Sequence, residues 1–353
     1  MPETLVIPVD PLHPDPARVA QAAAVIRAGE LVAFPTETVY GLGANALDEA
    51  AVERIFAAKE RPAADPLIVH IAAPEELEQI VAEVPYAAWR LAERFWPGPL
   101  TLVLPKGTAI PAAVCAGGKT VAVRMPAHAI PLALIRAAGV PVAAPSANRF
   151  SRPSPTTAQH VLDDLAGRVE IILDGGPTPI GVQSTVLDLT ADPPTVLRPG
   201  GLSLEALRAV LPTVTVTRRY LALDTVEGAA SPGMLLKHYS PRAPLYLYSG
   251  PPEAITAALR NEALRRAAEG ERAGVLIFDE DEARLAGAAA AISLLGPRGD
   301  LDQAAARLFA ALRELDARGV DAILACDVEP AGAGLAIHDR LLRAAEGKVV
   351  LVG

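Results

Sequence analysis

Residues 34–70 read FPTETVYGLGANALDEAAVERIFAAKERPAADPLIVH and contain a strand, a helix and a second strand. The apolar run at 30–35 predicts a buried strand, followed by a hydroxyl-rich turn at 36–43 whose glycines permit close backbone approach. Apolar spacing predicts a helix over 48–60, which ends before Pro62 because proline disfavours helical backbone in its predecessor. LIVHIA then predicts another strand. Hydroxyls, glycines, cations and a histidine on such a frame are typical of an active site.

Composition limits the class of protein. The chain has 353 residues, 51% hydrophobic and 21% charged, enough for a substantial core and for two domains. Its formal net charge of -9 argues against binding nucleic acid or anionic membranes through bulk charge, so any polyanion site must be local. Cys115 and Cys326 suggest neither a disulfide framework nor a zinc site, and they fit a reducing cytoplasm. The apolar runs are too short to span a membrane, so we expect no membrane partner.

The pattern of strands and helices predicts two α/β domains. The first covers residues 1–212. Residues 213–243 are rich in Thr, Ser, Gly and Pro without sustained periodicity, which predicts a linker. Strands and helices alternate again in residues 244–353 and predict a smaller parallel-sheet domain. Its turns lack the G-x-G-x-x-G pattern of dinucleotide-binding sites.

Two cations stand at the end of the helix in the opening stretch. Lys59 and Arg61 fit a solvated helix end, where cations complement the helix dipole. Pro62 restricts the chain directly after them, and a fixed geometry favours a phosphate clamp. The sequence GGKT at 117–120 ends like a P-loop, but a strand follows it. A Walker motif is therefore rejected, and Thr120 is kept as a hydroxyl donor.

Polar residues also follow or interrupt other predicted strands. Ser146 and Asn148 follow an apolar strand, at the end where α/β proteins bind ligands. Arg124 interrupts the apolar strand TVAVRMP, so it must face an anion, either a structural carboxylate or a substrate. His70 in LIVHI fits a satisfied core histidine or a ligand-binding one. The sequence has no recognisable nucleophile and base pair, which argues against covalent acyl transfer.

Seven motifs occur in a fixed order: FPTETVYGLGANA, KERPAADPLIVH, VAVRMPAH, APSANRFSRPSPTTAQHV, DGG, QSTVLD and LRPGG. This series resembles the YrdC-like threonylcarbamoyl-AMP synthase family over residues 5–211. The segment SPGMLLKHYSP and the α/β tail resemble its longer members. The resemblance implies an N-terminal twisted, open, mixed sheet with flanking helices and a smaller C-terminal Rossmann-like parallel-sheet domain. It also implies that the linker 213–243 covers the active site.

The resemblance further implies an activity, with site residues assigned by position. The expected reaction makes threonylcarbamoyl-AMP and pyrophosphate from L-threonine, bicarbonate and ATP, with Mg²⁺ on the ATP and no separate metal site. The expected catalytic residues are Lys59 and Arg61. The expected ATP contacts are Arg61, Asp65, Thr120, the backbone of Ala144, Ser146, Asn148, Ser154, Arg198 and Tyr239. The expected threonine contacts are Thr36, Thr38, His70, Arg124 and Ser184.

Two positions depart from the family pattern. Asp65 stands where many members have asparagine, and Phe150 with Ser151 replaces the more usual Ser-Gly. An aspartate beside phosphates would repel them unless a magnesium ion or Arg61 lies between.

The resemblance implies that separate tRNA threonylcarbamoyl transferase proteins use the product. An alternative is an RNA-binding module of the same pathway with a weak tRNA contact. The acidic net charge, and the lack of a basic run interleaved with aromatic residues, argue against it. A second alternative is a carbamoyl-adenylate step like that of hydrogenase-maturation carbamoyltransferases. The zinc-finger cysteines and the acylphosphatase-like region expected of those proteins are missing from the sequence.

Overall fold

The computed structural model describes residues 3–217 and 238–353, which divide into two compact units. The first unit holds residues 3–150, 154–179 and 183–217, and the second holds 151–153, 180–182 and 238–353. Residues 218–237 of the predicted linker lie outside the described residues. The start of that linker contains Thr215–Val216, an edge strand of the first sheet.

Over residues 3–217, the first unit forms an 11-stranded mixed sheet. The strands are β1 (Leu5–Pro8), β2 (Val32–Phe34), β3 (Gly41–Asn45), β4 (Ile68–His70), β5 (Leu100–Pro105), β6 (Thr120–Arg124), β7 (Val142–Ala143), β8 (Ile171–Asp174), β9 (Thr185–Asp188), β10 (Thr195–Arg198) and β11 (Thr215–Val216). Their spatial order is β1-β8-β2-β3-β7-β4-β6-β5-β9-β10-β11. Strands β4 and β6 are parallel, whereas β7 is antiparallel to both β3 and β4. The predicted open mixed sheet is confirmed.

Helices cover both faces of this sheet. They are α1 (Pro16–Arg27), α2 (Glu49–Lys59), α3 (Leu77–Ile80), α4 (Tyr86–Phe95), α5 (Ala129–Ala138), α6 (Ala158–Leu165) and α7 (Leu204–Val210). Alternate residues of a strand point to opposite faces. In β2, Val32 and Phe34 accordingly pack in one core with α1 and α5, while Ala33 packs in the other core with α2. At β2 the sheet is therefore packed against helices on both faces.

Gly41 and Gly43 lie in β3 and not in the turn predicted for residues 36–43. A Cβ atom on Gly43 would lie 2.6 Å from Phe34 Cε1 and 2.7 Å from Val142 Cγ1. The close approach is thus made by side chains of the neighbouring strands β2 and β7. The turn prediction was wrong for these two glycines, because packing inside the sheet produces the same sequence signal.

Helix α2 ends at Lys59 because Glu60 adopts a left-handed conformation, with φ of 54°. The N–H of Arg61 then donates to the Phe56 carbonyl at 3.0 Å, which closes the helix end. Pro62 follows directly. The predicted helix end is confirmed to within one residue, and it sets the direction in which the two cations leave the helix.

The second unit contains a parallel sheet of five strands within residues 238–353. Its strands are β12 (Leu245–Ser249), β13 (Ala273–Ile277), β14 (Ala291–Leu294), β15 (Ala322–Cys326) and β16 (Val349–Leu351), in the order β14-β13-β15-β12-β16. Its helices are α8 (Pro252–Ala268), α9 (Glu282–Leu285), α10 (Leu301–Ala317) and α11 (Ala333–Ala344). This agrees with the predicted Rossmann-like domain. In the described part of the chain, no helix has the length and apolar character needed to cross a lipid bilayer.

Candidate active site

Lys59, the last residue of α2, is enclosed by the loop that follows β7. Its side chain is buried, and its Nζ donates hydrogen bonds to the backbone carbonyls of Ser146 and Asn148, each at 2.5 Å. The Lys59 carbonyl accepts a hydrogen bond from the Phe150 N–H at 2.8 Å. Burial lowers the pKa of the Lys59 ammonium well below its usual value, and the charge of Arg61 lowers it further. Lys59 therefore fixes the path of the predicted nucleotide-binding loop.

Arg61 and Asp65 form a buried ion pair in the connection between α2 and β4. Arg61 Nη2 lies 2.9 Å from Asp65 Oδ2 and donates a hydrogen bond to the Pro66 carbonyl at 2.8 Å. The two charged groups are not aligned as a hydrogen bond, and Arg61 Nε has no hydrogen-bond partner among the described residues. Arg61 thus supplies the cation that an aspartate needs if it is to lie beside phosphates.

Arg124, the last residue of β6, contacts the turn between β2 and β3. Its Nη1 donates to Thr38 Oγ1 at 2.9 Å and its Nε donates to the Gly98 carbonyl at 3.2 Å. Its Nη2 lies 2.6 Å from Glu37 Oε2, and both side chains are buried. Thr36 Oγ1 lies 2.7 Å from Thr38 Oγ1. The anionic partner of Arg124 in this structure is therefore the Glu37 carboxylate.

His70, the last residue of β4, lies beside Arg124 because the two residues are paired in register across the parallel strands β4 and β6. The buried imidazole packs edge-on against Phe34, with ring centroids 6.4 Å apart. Its Nδ1 has no hydrogen-bond partner among the described residues. Burial lowers the pKa of His70 to about 3, and the charge of Arg124 acts in the same direction. His70 is therefore neutral near pH 7 and offers hydrogen bonds without charge.

We expect His70 to make stability depend on pH. Its pKa is about 3 when folded and about 6.5 when unfolded, so the unfolded chain binds more protons between these values. The free energy of unfolding should rise with pH in this window, by up to about 1.4 kcal/mol per pH unit from this residue. Urea denaturation at several pH values should show a shallower slope in His70→Gln than in wild type. Equal slopes in wild type and His70→Gln would contradict the expectation.

Ser184 and Arg198 contact each other, although the family resemblance assigns them to different substrates. Arg198 Nη2 donates to the Ser184 carbonyl at 2.9 Å and to Ser184 Oγ at 3.2 Å. Ser184 Oγ also lies 2.7 Å from Thr101 Oγ1. Next to Ser184 in the chain, Gln183 Nε2 donates to the buried Oγ of Ser154 at 2.6 Å. The segment before β9 thus brings three predicted ligand residues together.

Three other predicted ATP contacts have separate positions. Thr120 begins β6. The Ala144 N–H donates a hydrogen bond to the Ile68 carbonyl of β4 at 2.9 Å, so this N–H takes part in pairing the strands. Tyr239 belongs to the second unit, where its buried ring packs against Phe309 with centroids 5.4 Å apart. The contact of Tyr239 with ATP stays a prediction.

Glu37 is a candidate functional residue that was not predicted from the sequence. Two signals could have found it. Glu37 stands between two threonines next to an apolar strand, and Arg124 stands alone in another apolar strand. Since each buried charge needs an opposite charge, pairing the two was a reasonable inference. The sequence gives no distance between them, and so it could not choose Glu37 over other carboxylates.

The first unit buries several of the cations that the sequence predicts for the site. Four predicted site residues are buried cations: Lys59, Arg61, Arg124 and Arg198. Hydroxyl groups of threonine and serine lie against two of them. Buried cations with hydroxyls favour anionic ligands such as a carboxylate or a triphosphate.

The fold and the site together define a class of protein: an α/β enzyme that binds anionic substrates through buried cations and hydroxyls. The chain belongs to the Sua5, YciO and YrdC family, whose model, described as "Telomere recombination", matches residues 24–200. A second family model, described as "Threonylcarbamoyl-AMP synthase, C-terminal domain", matches residues 202–346. The family predicted from the motifs is confirmed.

Similar proteins match almost the whole chain. The threonylcarbamoyl-AMP synthase of Pyrococcus abyssi is 48% identical over 334 residues, which cover 94% of this chain and 95% of that protein. The threonylcarbamoyl-AMP synthase of Bacillus subtilis is 47% identical over 344 residues, which cover 97% and 96%. The crystal structure of P. abyssi Sua5 complexed with L-threonine has a TM-score of 0.92 at 45% identity and covers 99% of this chain and 100% of that chain.

Proposed function

We infer that this chain is an L-threonylcarbamoyladenylate synthase, a nucleotidyltransferase that makes threonylcarbamoyl-AMP. The observation that carries the inference is its identity of 48% and 47%, over nearly the full length, to two proteins with this activity in their names. The buried cations and hydroxyls of the first unit suit the anionic substrates of such an enzyme.

We propose L-threonine, bicarbonate and ATP as substrates. The P. abyssi relative was crystallised with L-threonine, which supports the choice of amino acid. The proposed threonine contacts are Thr36, Thr38, His70, Arg124 and Ser184. The proposed ATP contacts are Arg61, Asp65, Thr120, Ala144, Ser146, Asn148, Ser154, Arg198 and Tyr239. Hydroxyls that bind the threonine hydroxyl would reject analogues that lack it.

The proposed chemistry needs alignment and charge neutralisation more than a protein nucleophile. The threonine amine and bicarbonate form a carbamate, whose oxygen attacks the α-phosphorus of ATP while pyrophosphate leaves. Arg61 is proposed to neutralise phosphate charge through its free Nε. Lys59 is proposed to keep the loop with Ser146 and Asn148 in place. These two residues are the proposed catalytic cations.

Mg²⁺ is proposed to arrive with ATP. Within residues 3–217 and 238–353, no three histidine, cysteine or carboxylate side chains cluster as a metal cage requires. Asp65, the acidic residue among the proposed ATP contacts, lies against Arg61. Mg²⁺ binds phosphate oxygens readily while keeping several waters. Bound in this way, it would neutralise charge on the leaving pyrophosphate.

The product is a mixed anhydride of a carbamate and AMP, so a second protein must consume it soon after release. We propose tRNA threonylcarbamoyl transferase proteins as these partners, with at most a weak tRNA contact by this acidic chain. The proposed location is the cytoplasm, where the free buried thiols Cys115 and Cys326 stay reduced.

Omission of each substrate in turn tests this function. With ATP, Mg²⁺, L-threonine and bicarbonate present, we expect pyrophosphate release and a threonylcarbamoyl-AMP product in mass spectrometry. Omission of threonine or bicarbonate should reduce release to background, because the attacking carbamate cannot form. L-Valine, which has a methyl group in place of the hydroxyl, should not replace threonine. Release that persists without threonine would contradict the proposal.

A further inference from the structure

The Glu37 carboxylate is buried but lacks a hydrogen-bond donor. Its side chain is 8% exposed. Neither Oε1 nor Oε2 has a hydrogen-bond partner among the described residues. Arg124 Nη2 lies 2.6 Å from Oε2, so the charge is paired, but the two groups are not aligned as a hydrogen bond. Buried polar groups are nearly always hydrogen-bonded in folded proteins, so this carboxylate points to a ligand that donates.

The charges of Arg124 and Glu37 match those of an amino-acid zwitterion. An α-amino acid carries a carboxylate and an ammonium group on the same carbon. The carboxylate suits the guanidinium of Arg124, and the ammonium group, with three N–H donors, suits the carboxylate of Glu37. Thr38 Oγ1, 2.9 Å from Arg124 Nη1, supplies a hydroxyl at the same place. We propose that Glu37 binds the amino group of L-threonine while Arg124 binds its carboxylate, an inference that rests on the function proposed above.

The same carboxylate is positioned to accept the proton that carbamate formation releases. The threonine ammonium transfers one proton to Glu37, which leaves a lone pair on nitrogen. This lone pair forms the N–C bond to the carbon of bicarbonate. The C–OH bond of bicarbonate breaks, and its hydroxide leaves as water with a second ammonium proton. The products are the carbamate, one water and protonated Glu37, which balances atoms and charge.

A comparison of two ligands isolates the proposed contact. (R)-3-Hydroxybutanoate keeps the carboxylate, hydroxyl and methyl groups of L-threonine and lacks its amino group. In calorimetric titrations, wild type should prefer L-threonine by about 10-fold to 100-fold, as expected for hydrogen bonds to a charged group. In Glu37→Gln this preference should vanish, because threonine loses an ionic contact with its ammonium group that hydroxybutanoate never makes. Glu30→Gln, which removes a partly exposed carboxylate paired with Arg54, should keep the preference.

Equal weakening of both ligands in Glu37→Gln would overturn the proposal, because it would show that Glu37 only supports Arg124. Circular dichroism would check folding. If Glu37→Gln fails to fold, Glu37→Asp provides the test, because it keeps the negative charge but withdraws the carboxylate by one methylene group. A reduced preference for threonine then supports the proposal, and an unchanged preference overturns it. Wild type that releases no pyrophosphate with threonine and bicarbonate would instead reject the proposed function, so the two failures are distinguishable.

Discussion

Replacement of Lys59 by methionine is expected to lower pyrophosphate release by about 100-fold, with a smaller change in KM for ATP. Methionine keeps the apolar stem of lysine but removes the hydrogen bonds that Nζ donates to the carbonyls of Ser146 and Asn148. The loop should then shift, and a displacement of about 1 Å in an active site costs about 100-fold in rate. Steady-state kinetics with saturating threonine and bicarbonate would measure the loss.

Arg149→Met is the matched control, because it removes a cation from the same loop. Arg149 Nη2 lies 2.5 Å from Glu60 Oε2, with the two side chains 45% and 51% exposed. Exposed ion pairs contribute about 0–1 kcal/mol, so its turnover should stay close to that of wild type. Urea denaturation would show whether Lys59→Met remains folded under assay conditions. If folded Lys59→Met turned over as fast as Arg149→Met, Lys59 would have no role in the proposed site.

Lys59 also shows how far the sequence predicts this site. Helical periodicity and the following Pro62 place it correctly at a helix end, because both signals are local. Its partners could not be predicted, since they are backbone carbonyls, which every residue carries. Both sheets and helix α2 were predicted from the spacing of hydrophobic residues. This spacing shows which side chains of a single strand or helix are buried.

Contacts between distant segments were beyond the sequence. Position 43 must be glycine because a Cβ atom there would collide with Phe34 and Val142, which belong to the strands on either side of β3. No local sequence pattern shows which strands are neighbours in the sheet. Ser184 and Arg198 were assigned to different substrates, yet they share a hydrogen bond. Family motifs identify which residues matter, whereas the structure identifies which of them act together.

Replacement of Arg124 by methionine should remove threonine binding and destabilise the protein. Without the guanidinium, the substrate carboxylate loses its countercharge, and we expect affinity to fall by at least about 100-fold. Glu37 is then a buried charge without a partner, and breaking a buried ion pair costs about 3–5 kcal/mol of unfolding free energy. Calorimetric titration with L-threonine and urea denaturation at pH 7 would measure the two effects.

The double variant Arg124→Met with Glu37→Gln distinguishes the effect of an unpaired buried charge from the effect of lost hydrogen bonds. Removing both charges should restore much of the lost stability, because no unpaired charge is then buried. Threonine binding should stay lost, since neither charge of the zwitterion then has a partner. A double variant as unstable as Arg124→Met would instead assign the destabilisation to the lost hydrogen bonds with Thr38 and Gly98. Because stability and binding respond differently to the second substitution, the structural and substrate-binding roles of this ion pair can be measured independently.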